Sequence, residues 1–368
     1  MELFYTYPKF HRVSFTLIAQ KHIEYLRKIN GLKVYELDEL LLPTFVPVSK
    51  KKVIIHPAIF IMHKVIQSRT DYFGRFRKDY YDWWRKNWDE LIGIDVCDSD
   101  RLSQFAVDLL NLTDKVITHS SLCVDVYKKS GVKKKIYLLP HGVDPEWYEL
   151  PNTWEIVPAA KASPSLMNIY LYKIRKNKKI LLYWLWHSAD RKGWNEVRET
   201  YRRLRKERND IVLVIKSGAP NPVEYQQVMD LGAINLYGWL SDYEKIMLYD
   251  LADIVLNFSR GGGFEHCCLE ALARGVPCVA NEWGSWTDYV PEFLRIKKGR
   301  RVKPLPNNIV HVGYGYTVVV DHAVEKINDI LDNYEEYKKK LEEYRVKTLS
   351  KTFRWDIIAW KLYNIVFS

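Results

Sequence analysis

Residues 257–280, which read NFSRGGGFEHCCLEALARGVPCVA, decide the fold. An apolar strand at 254–258 runs into three consecutive glycines, a helical stretch through Leu269 and Leu272 follows, and a second apolar strand begins at Pro277. Strands that alternate with helices in this way predict a parallel, doubly wound sheet. In such a sheet the turn after a strand lies at the carboxyl edge, where ligands bind.

The residue types of this stretch favour a site for phosphate or sugar oxygens. Gly261, Gly262, Gly263 and Phe264 precede the helix, so the backbone can approach a ligand closely and helix N–H groups attract anionic oxygens. Glu270 lies about two turns into the helix, and its carboxylate can accept hydrogen bonds from paired hydroxyls such as those of a ribose. Taken alone, the stretch is equally compatible with a helix start that carries a surface glutamate.

A second strand-to-helix turn, HSADRKG at 187–193, carries basic residues. It follows an apolar strand at 180–186 and precedes a helix at 194–208, so we expect His187, Arg191 and Lys192 at the same edge of the sheet. Basic side chains there suit a diphosphate, because they neutralise its charge as it departs. For Arg191 and Lys192 considered singly, a solvated basic turn is the alternative.

The strand and helix alternation occurs in both halves of the 368 residues, a length that argues for two domains or one large one. The predicted strands lie at 3–7, 32–35, 52–55, 115–118 and 135–139, and then at 180–186, 211–215, 254–258 and 277–280. Pro, Ala and Ser residues cluster between 150 and 177, which places a domain boundary there. We therefore predict an α/β protein with two Rossmann-like, doubly wound domains, 1–150 and 151–350, that face a cleft.

The composition excludes several classes of protein. Hydrophobic residues make up 47% and charged residues 27%, which excludes a disordered or fibrous chain. The longest apolar stretch, 53–62, is interrupted by His56 and Pro57 and is too short to cross a bilayer.

The five cysteines contain no C-x-x-C pair, so we expect neither a disulfide framework nor a structural zinc site. We therefore expect a reducing, cytoplasmic location. The net charge of +11 favours anionic partners: phosphates, nucleic acid or membrane lipids.

An aromatic segment at 71–90 leaves two interpretations open. Phe73, Phe76, Tyr80, Trp84 and Trp88 recur at helical spacing, with basic residues between them. Such a stripe is most often the buried face of a helix. The alternative is an interfacial helix on anionic lipid, which would make the protein peripheral at a membrane. His56 and His119 end predicted strands and could reach a cleft, although core or loop positions are the commoner fate of such residues.

Five motifs, in order along the chain, together resemble the retaining, nucleotide-sugar-dependent glycosyltransferases of family four, also called group one. They are LPHGVD at 139–144, RKG at 191–193, YGWL with LYDLAD at 237–253, GF with LEALARGVP at 263–277, and FRWD at 353–356.

The resemblance implies the type-B (GT-B) fold, with a C-terminal helix at 351–368 that packs back on the N-terminal acceptor domain. It also implies sugar transfer from a nucleoside-diphosphate sugar to an acceptor hydroxyl with retention of configuration. No cofactor is expected, and no metal requirement. By the same resemblance Lys192 and Arg191 stabilise the diphosphate and Glu270 binds the ribose. His187, Gly238 and residues 261–264 are the remaining expected donor-binding residues.

The chain departs from the family pattern at two of these positions. The family signature has two glutamates eight positions apart, and the position of the first, which approaches the transferred sugar, is occupied here by Gly262. Glu265 either compensates as a catalytic carboxylate or is a first-turn acid that favours the helix N-terminus. His187 stands where the family usually has an arginine, which makes it a pH-dependent substitute.

The main alternative function is a non-catalytic protein of the same fold that binds a nucleotide, a membrane or nucleic acid. Nucleic acid is disfavoured because the basic residues form short scattered runs without a recognition module. The expected partners are therefore a nucleotide-sugar donor and an unidentified glycan, lipid-linked or protein acceptor, with an anionic membrane surface as a further candidate.

Overall fold

The computed structural model describes residues 1–11, 13–156, 162–185, 188–218 and 222–368. Within these residues the chain forms two compact units. The first comprises Met1–Gly142, Pro306–Gly313 and Phe353–Ser368, and the second comprises Val143–Leu305 and Tyr314–Thr352.

The elements follow each other in the alternation that the sequence predicts. The strands are β1 (Glu2–Tyr7), β2 (Lys33–Asp38), β3 (Lys51–Ile55), β4 (Trp88–Ile94), β5 (Lys115–Thr118), β6 (Lys135–Leu138), β7 (Lys179–Leu185), β8 (Ile211–Ser217), β9 (Ile234–Tyr237), β10 (Ile254–Asn257), β11 (Cys278–Asn281), β12 (Arg295–Ile296), β13 (Lys298–Val302) and β14 (Gly315–Val318). The helices are α1 (Ser14–Leu26), α2 (Ala58–Gln67), α3 (Lys78–Arg85), α4 (Gln104–Leu110), α5 (Ser121–Ser130), α6 (Glu146–Glu149), α7 (Thr153–Ile156), α8 (Pro164–Lys176), α9 (Ala189–Lys192), α10 (Trp194–Glu207), α11 (Pro222–Asp230), α12 (Asp242–Leu251), α13 (His266–Ala273), α14 (Val320–Asp332), α15 (Tyr334–Tyr344), α16 (Ser350–Thr352) and α17 (Trp355–Phe367).

The first unit is built on a parallel sheet. Among the described residues its strand order is β2-β1-β3-β4-β5-β6, and every neighbouring pair is parallel. Its central strands are apolar and rich in β-branched residues, as Val53, Ile54 and Ile55 of β3 show, and these three are fully buried. Such strands require helices on both faces, which the intervening helices supply.

The C-terminal helix belongs to the first unit. Leu362 and Val366 of α17 share a hydrophobic cluster with Ile18 and Ile23 of α1 and Leu3 of β1. The Lys52 ammonium of β3 also donates a hydrogen bond of 2.6 Å to the carbonyl oxygen of Val366. The predicted return of this helix to the N-terminal part of the chain is therefore confirmed.

The second unit carries the site, and its strand order explains where. Among the described residues the parallel order is β12-β11-β10-β7-β8-β9, with β13 and β14 as a separate antiparallel pair. In this sheet the first strand along the chain is the central β7. The next strands, β8 and β9, lie on one side of β7, and β10 lies on its other side. The order therefore reverses between β7 and β10, and doubly wound sheets bind ligands at such a reversal.

The prediction of a helix over residues 71–90 is wrong in extent. Only Lys78–Arg85 is helical, and Trp88 begins the buried strand β4. Before the helix, the Asp71 carboxylate accepts hydrogen bonds from the backbone N–H groups of Phe73 and Arg75, and Gly74 has a φ of 75°. This tight turn interrupts the helical periodicity.

The aromatic stripe is consequently divided between core and surface. Tyr81, Trp84 and Trp88 lie in the core of the first unit, and the Trp84 indole donates to the carbonyl oxygen of Leu42. Phe73, Phe76, Tyr80 and Trp83 are exposed, as is Tyr72. In the described part of the chain, no helix has the length and apolar character that a membrane-spanning segment needs.

Candidate functional site

The turns after β7 and β10 meet at the reversal of strand order. The backbone N–H of Arg260, after β10, donates a hydrogen bond of 2.7 Å to the carbonyl oxygen of Arg191 in α9. Gly193 permits this approach: it has a φ of 75°, and a Cβ atom there would lie 2.2 Å from the carbonyl oxygen of Phe258. The two segments that the sequence singles out are therefore held against each other by backbone contacts.

Glu265 forms the centre of an ion-pair cluster at this point. Its Oε2 atom lies 2.5 Å from the Lys192 ammonium, and its Oε1 atom lies 3.6 Å from Nη1 of Arg191. Oε1 also accepts a hydrogen bond of 3.0 Å from the Ser259 hydroxyl. Glu265 is only 3% exposed, so its charge is compensated by two cations in a nearly water-free position.

Gly262 makes room for this carboxylate. A Cβ atom at 262 would lie 2.6 Å from Oε1 of Glu265 and 3.4 Å from Nη1 of Arg191. The Glu265 carboxylate thus occupies the volume that a side chain at 262 would enter. Glu265 precedes α13, yet within the described structure its side chain makes no hydrogen bond to the first N–H groups of that helix. The carboxylate is bound by Lys192 and Ser259 instead, and both interpretations of Glu265 stay predictions.

Arg191 and Lys192 are not part of a solvated turn. Their side chains are 10% and 16% exposed, respectively. Besides its contact with Glu265, Arg191 donates a hydrogen bond of 3.0 Å to the carbonyl oxygen of Gly261. The basic turn after β7 is therefore anchored to the glycine loop after β10, and both cations lie beside the Glu265 carboxylate.

Glu270 lies on α13 and is also buried rather than at the surface. Its Oε2 atom accepts a hydrogen bond of 2.7 Å from the Tyr249 hydroxyl, and its Oε1 atom lies 3.4 Å from the Lys245 ammonium. Burial alone would lower the pKa of Lys245, but Glu270 and Asp242 raise that pKa above its usual value. Lys245 was not predicted from the sequence, although it precedes Tyr249 by one helical turn and so shares its face of α12.

An aromatic contact holds the start of α13. The Phe264 ring stacks on Tyr289 with 4.8 Å between centroids. The Tyr289 hydroxyl donates to the carbonyl oxygen of Glu265 at 2.8 Å and accepts from its N–H group at 3.3 Å. The backbone of Glu265 is therefore fixed by contacts that do not involve its side chain.

His266 is the first residue of α13. Burial, and then Lys245, lower the pKa of His266 to about 3, so this imidazole is neutral.

Gly238 follows β9, with a φ of 97°, and its carbonyl oxygen accepts a hydrogen bond from the Lys216 ammonium. Lys216 also donates to the carbonyl oxygen of Ser217 at 3.0 Å, and burial lowers the pKa of Lys216 to about 8. This lysine was not predicted from the sequence, although a charged residue at the end of the apolar run 211–215 is a signal for it.

The remaining predicted residues lie elsewhere. His187 falls outside the described residues, so its role stays a prediction. His56 and His119 are buried in the first unit, where the Tyr5 hydroxyl lies 3.1 Å from Nδ1 of His56 and Nδ1 of His119 lies 2.8 Å from the carbonyl oxygen of Leu139. Over the described ranges, no cluster of three His, Cys, Asp or Glu side chains is arranged to hold a metal ion.

Part of the chain is similar to known glycosyltransferase sequences. A family model described as "Glycosyl transferases group 1" matches residues 178–303, which run from β7 through β13 and include the whole cluster. The chain is 33% identical over 345 residues to "Uncharacterized protein 356" of Sulfolobus islandicus rod-shaped virus 1, which covers 93% of this chain and 91% of that protein. It is 27% identical over 257 residues to "Putative glycosyltransferase 45" of a Sulfolobus islandicus filamentous virus. This alignment covers 68% of this chain and 66% of that protein.

A solved structure shares the fold. Sucrose-phosphate synthase from Thermosynechococcus elongatus aligns with a TM-score of 0.64 and 14% identity, over 100% of this chain and 99% of that one. At this identity the likeness shows the fold alone: two Rossmann-like units, each with a six-stranded parallel sheet in its described residues, as in the GT-B fold. The predicted fold class is confirmed.

Proposed function

The chain belongs to the group 1 glycosyltransferases, and on that premise we propose that it transfers a sugar from a nucleoside-diphosphate sugar to an acceptor hydroxyl with retention of configuration. One observation carries the proposal. Arg191 is buried and Lys192 is largely buried beside a glycine loop at the reversal of strand order, where a doubly wound sheet binds its ligand.

The proposed reaction needs positioning and charge more than a protein nucleophile. The bond from the anomeric carbon to the diphosphate breaks, and a bond from that carbon to the acceptor oxygen forms on the same face. The acceptor proton passes to the departing diphosphate. Lys192 and Arg191 stabilise the charge that develops on this leaving group, and backbone N–H groups of residues 261–264 bind sugar or phosphate oxygens.

We assign the ribose of the donor to Glu270. The Tyr249 hydroxyl holds one carboxylate oxygen at 2.7 Å, which fixes the orientation of the group. Each carboxylate oxygen has a second acceptor direction, so the pair can receive hydrogen bonds from two adjacent hydroxyls. Gly238 and the Lys216 beside it belong to the same donor-binding edge in this assignment, and no cofactor or metal is required by it.

Nucleotide binding and product stereochemistry test the proposed function. We expect one of uridine, guanosine or adenosine diphosphate to bind in calorimetry, and Glu270→Ala to weaken that binding about tenfold because a carboxylate hydrogen bond is lost. A 2′-deoxyribonucleoside diphosphate should bind wild type more weakly, and Glu270→Ala should remove this difference. Glu342→Ala, which removes the ion pair between Glu342 of α15 and Arg345, is the control and should leave binding unchanged.

Product analysis separates the remaining alternatives. Nuclear magnetic resonance of the product should show the anomeric configuration of the donor sugar. Inversion would exclude the retaining mechanism. Intact nucleotide binding without turnover on any donor would instead support the non-catalytic binding protein.

We further propose that the acceptor is presented at a membrane surface. One short segment of the first unit carries five exposed aromatic side chains, which we call the aromatic surface: Tyr72, Phe73, Phe76, Tyr80 and Trp83. Its neighbouring cations are already ion-paired, as Arg75 is with Asp71 and Arg77 with Asp79. The surface therefore suits the headgroup zone mainly through its aromatic rings, and less through attraction to anionic lipid.

Vesicle flotation checks this membrane proposal. We expect the protein to float with phosphatidylglycerol-containing vesicles and to keep most of this binding at 0.5 M salt, because the ion-paired cations add little attraction. The double variant Phe73→Ser/Trp83→Ser should stay in the soluble fraction. Trp360→Ser, which removes an exposed aromatic residue from α17, is the matched control and should float like wild type. Equal flotation of all three proteins would rule out this surface.

A further inference from the structure

The Glu265 carboxylate partly neutralises the positive charge of Arg191 and Lys192. Glu265 brings one negative charge within 2.5 Å of Lys192 and 3.6 Å of Arg191. A diphosphate that approaches these cations therefore meets a carboxylate that holds the same donors. If the carboxylate and the diphosphate both bind these two cations, they repel each other. This repulsion costs free energy, and the cost rises as water is excluded.

We propose that the Glu265 carboxylate is an internal counter-ion of the donor site, which the donor's diphosphate displaces from Lys192 and which then serves the transferred sugar in place of a side chain at 262. This inference rests on the proposed function. It assigns Glu265 two successive partners: Lys192 in the donor-free protein, and the sugar when the diphosphate has taken over the lysine.

The geometry allows the exchange without a change of backbone. The Tyr289 hydroxyl contacts both the N–H group and the carbonyl oxygen of Glu265, so only the side chain needs to rotate. The Ser259 hydroxyl, 3.0 Å from Oε1, can keep its hydrogen bond while Oε2 leaves Lys192. The Lys192 side chain is 16% exposed, which leaves an accessible face for the incoming phosphate.

The Glu265 carboxylate occupies the volume beside Gly262. A Cβ atom there would lie 2.6 Å from Oε1, so a side chain at 262 and the observed position of the Glu265 carboxylate exclude each other. The carboxylate is thus delivered from three residues further along the chain to the place from which a residue at 262 would act. The glycine at 262 and the glutamate at 265 form one arrangement.

Glu265→Gln tests the counter-ion role because it removes the charge and keeps the shape. We expect the nucleoside diphosphate that binds wild type, identified among uridine, guanosine and adenosine diphosphates, to bind this variant about tenfold more tightly, since the competing carboxylate is gone. We expect sugar transfer at saturating donor to fall about 100-fold, because the sugar loses its carboxylate partner. A merely structural carboxylate would not move these two quantities in opposite directions.

A matched control separates this effect from general destabilisation. Asp250→Asn removes a buried carboxylate that pairs with Arg274 at 2.8 Å, at the opposite end of α13 from Glu265. It should lower the thermal stability of the protein without tightening nucleotide binding. Tighter binding in Asp250→Asn would overturn the inference, because the gain would then not be specific to Glu265.

The relocated pair provides the second test. Gly262→Glu/Glu265→Gly moves the carboxylate three residues back and should transfer sugar at least tenfold faster than Glu265→Gly alone. Equal rates for the two variants, or nucleotide binding by Glu265→Gln that is no tighter than that of wild type, would overturn the inference and leave the proposed function standing. A wild-type protein that binds none of the three diphosphates would overturn the proposed function itself.

Discussion

Lys192→Ala is expected to slow sugar transfer by about two to three orders of magnitude. Lys192 is the ammonium closest to the centre of the cluster, 2.5 Å from Glu265, and it is the group we assign to the departing diphosphate. Its removal takes a preorganised cation away from the place where negative charge develops. Initial rates with saturating acceptor, compared with wild type, measure the effect.

The same substitution also affects folding. Without Lys192, the 3% exposed Glu265 carboxylate faces only Arg191, at 3.6 Å, among the cations of the described site. Breaking a buried ion pair from one side costs about 3–5 kcal/mol in the free energy of unfolding, because a charge stays behind without its partner. Urea unfolding should therefore show a loss of stability beside the loss of activity.

A double variant separates the two effects. Lys192→Met/Glu265→Gln removes both charges, so it should recover most of the free energy of unfolding but none of the transfer rate. Lys173→Ala breaks another ion pair of the second unit, with Asp253 at 2.8 Å, and should cost stability without a comparable loss of transfer. Recovery of activity in the double variant would show that Lys192 acts only through the fold.

The sequence predicted that the two turns share one edge of a sheet, but it did not predict the contacts between them. Parallel strands end at one edge of a sheet, so the turns at 187–193 and 258–265 could be assigned to a common edge from their alternation with helices alone. Which strands neighbour each other is not contained in that alternation. Only the observed pairing of β7 with β10 shows that these two turns are adjacent.

Glu265 illustrates what side-chain direction adds. Its sequence position before a helix is compatible with helix capping and with catalysis, and the two interpretations differ only in where the carboxylate points. The observed direction, toward Lys192, depends on the room that the absence of a side chain at Gly262 provides. This is a contact between two residues that no propensity describes.

The prediction for residues 71–90 was wrong for a related reason. Its aromatic residues recur at helical spacing, but Gly74 and the hydrogen bonds to the Asp71 carboxylate form a turn within the pattern. Strand β4 was overlooked because it begins with Trp88 and two acidic residues, whereas its apolar part is only residues 91–94. Periodicity reports a preference, and local side-chain hydrogen bonds override it.

Gly193→Ala is the substitution for which we expect the largest effect on the framework of the site. Its φ of 75° costs about 1–2 kcal/mol for a residue with a Cβ atom. The new Cβ would also lie 2.2 Å from the carbonyl oxygen of Phe258 and 2.9 Å from its carbonyl carbon, and these backbone atoms cannot rotate away as a side chain can. Overpacking of this kind adds about 1–3 kcal/mol.

The consequence for activity follows from what lies on either side of this contact. Arg191 and Lys192 immediately precede Gly193, and Ser259 immediately follows Phe258, so separation of the two backbones pulls the cluster apart. A displacement of about 1 Å in such a site can cost about 100-fold in rate. We therefore expect Gly193→Ala to lose both stability in urea unfolding and most of its transfer activity.

Gly232→Ala is the control that separates backbone strain from steric overlap. Gly232 has a similar φ, 62°, but no described atom beyond its own sequence neighbours lies within 4 Å of the Cβ position. This variant should lose only the 1–2 kcal/mol of a left-handed residue and keep its transfer rate. If Gly193→Ala and Gly232→Ala lose equal stability and both keep their activity, the close approach of α9 to the end of β10 does not hold the site together.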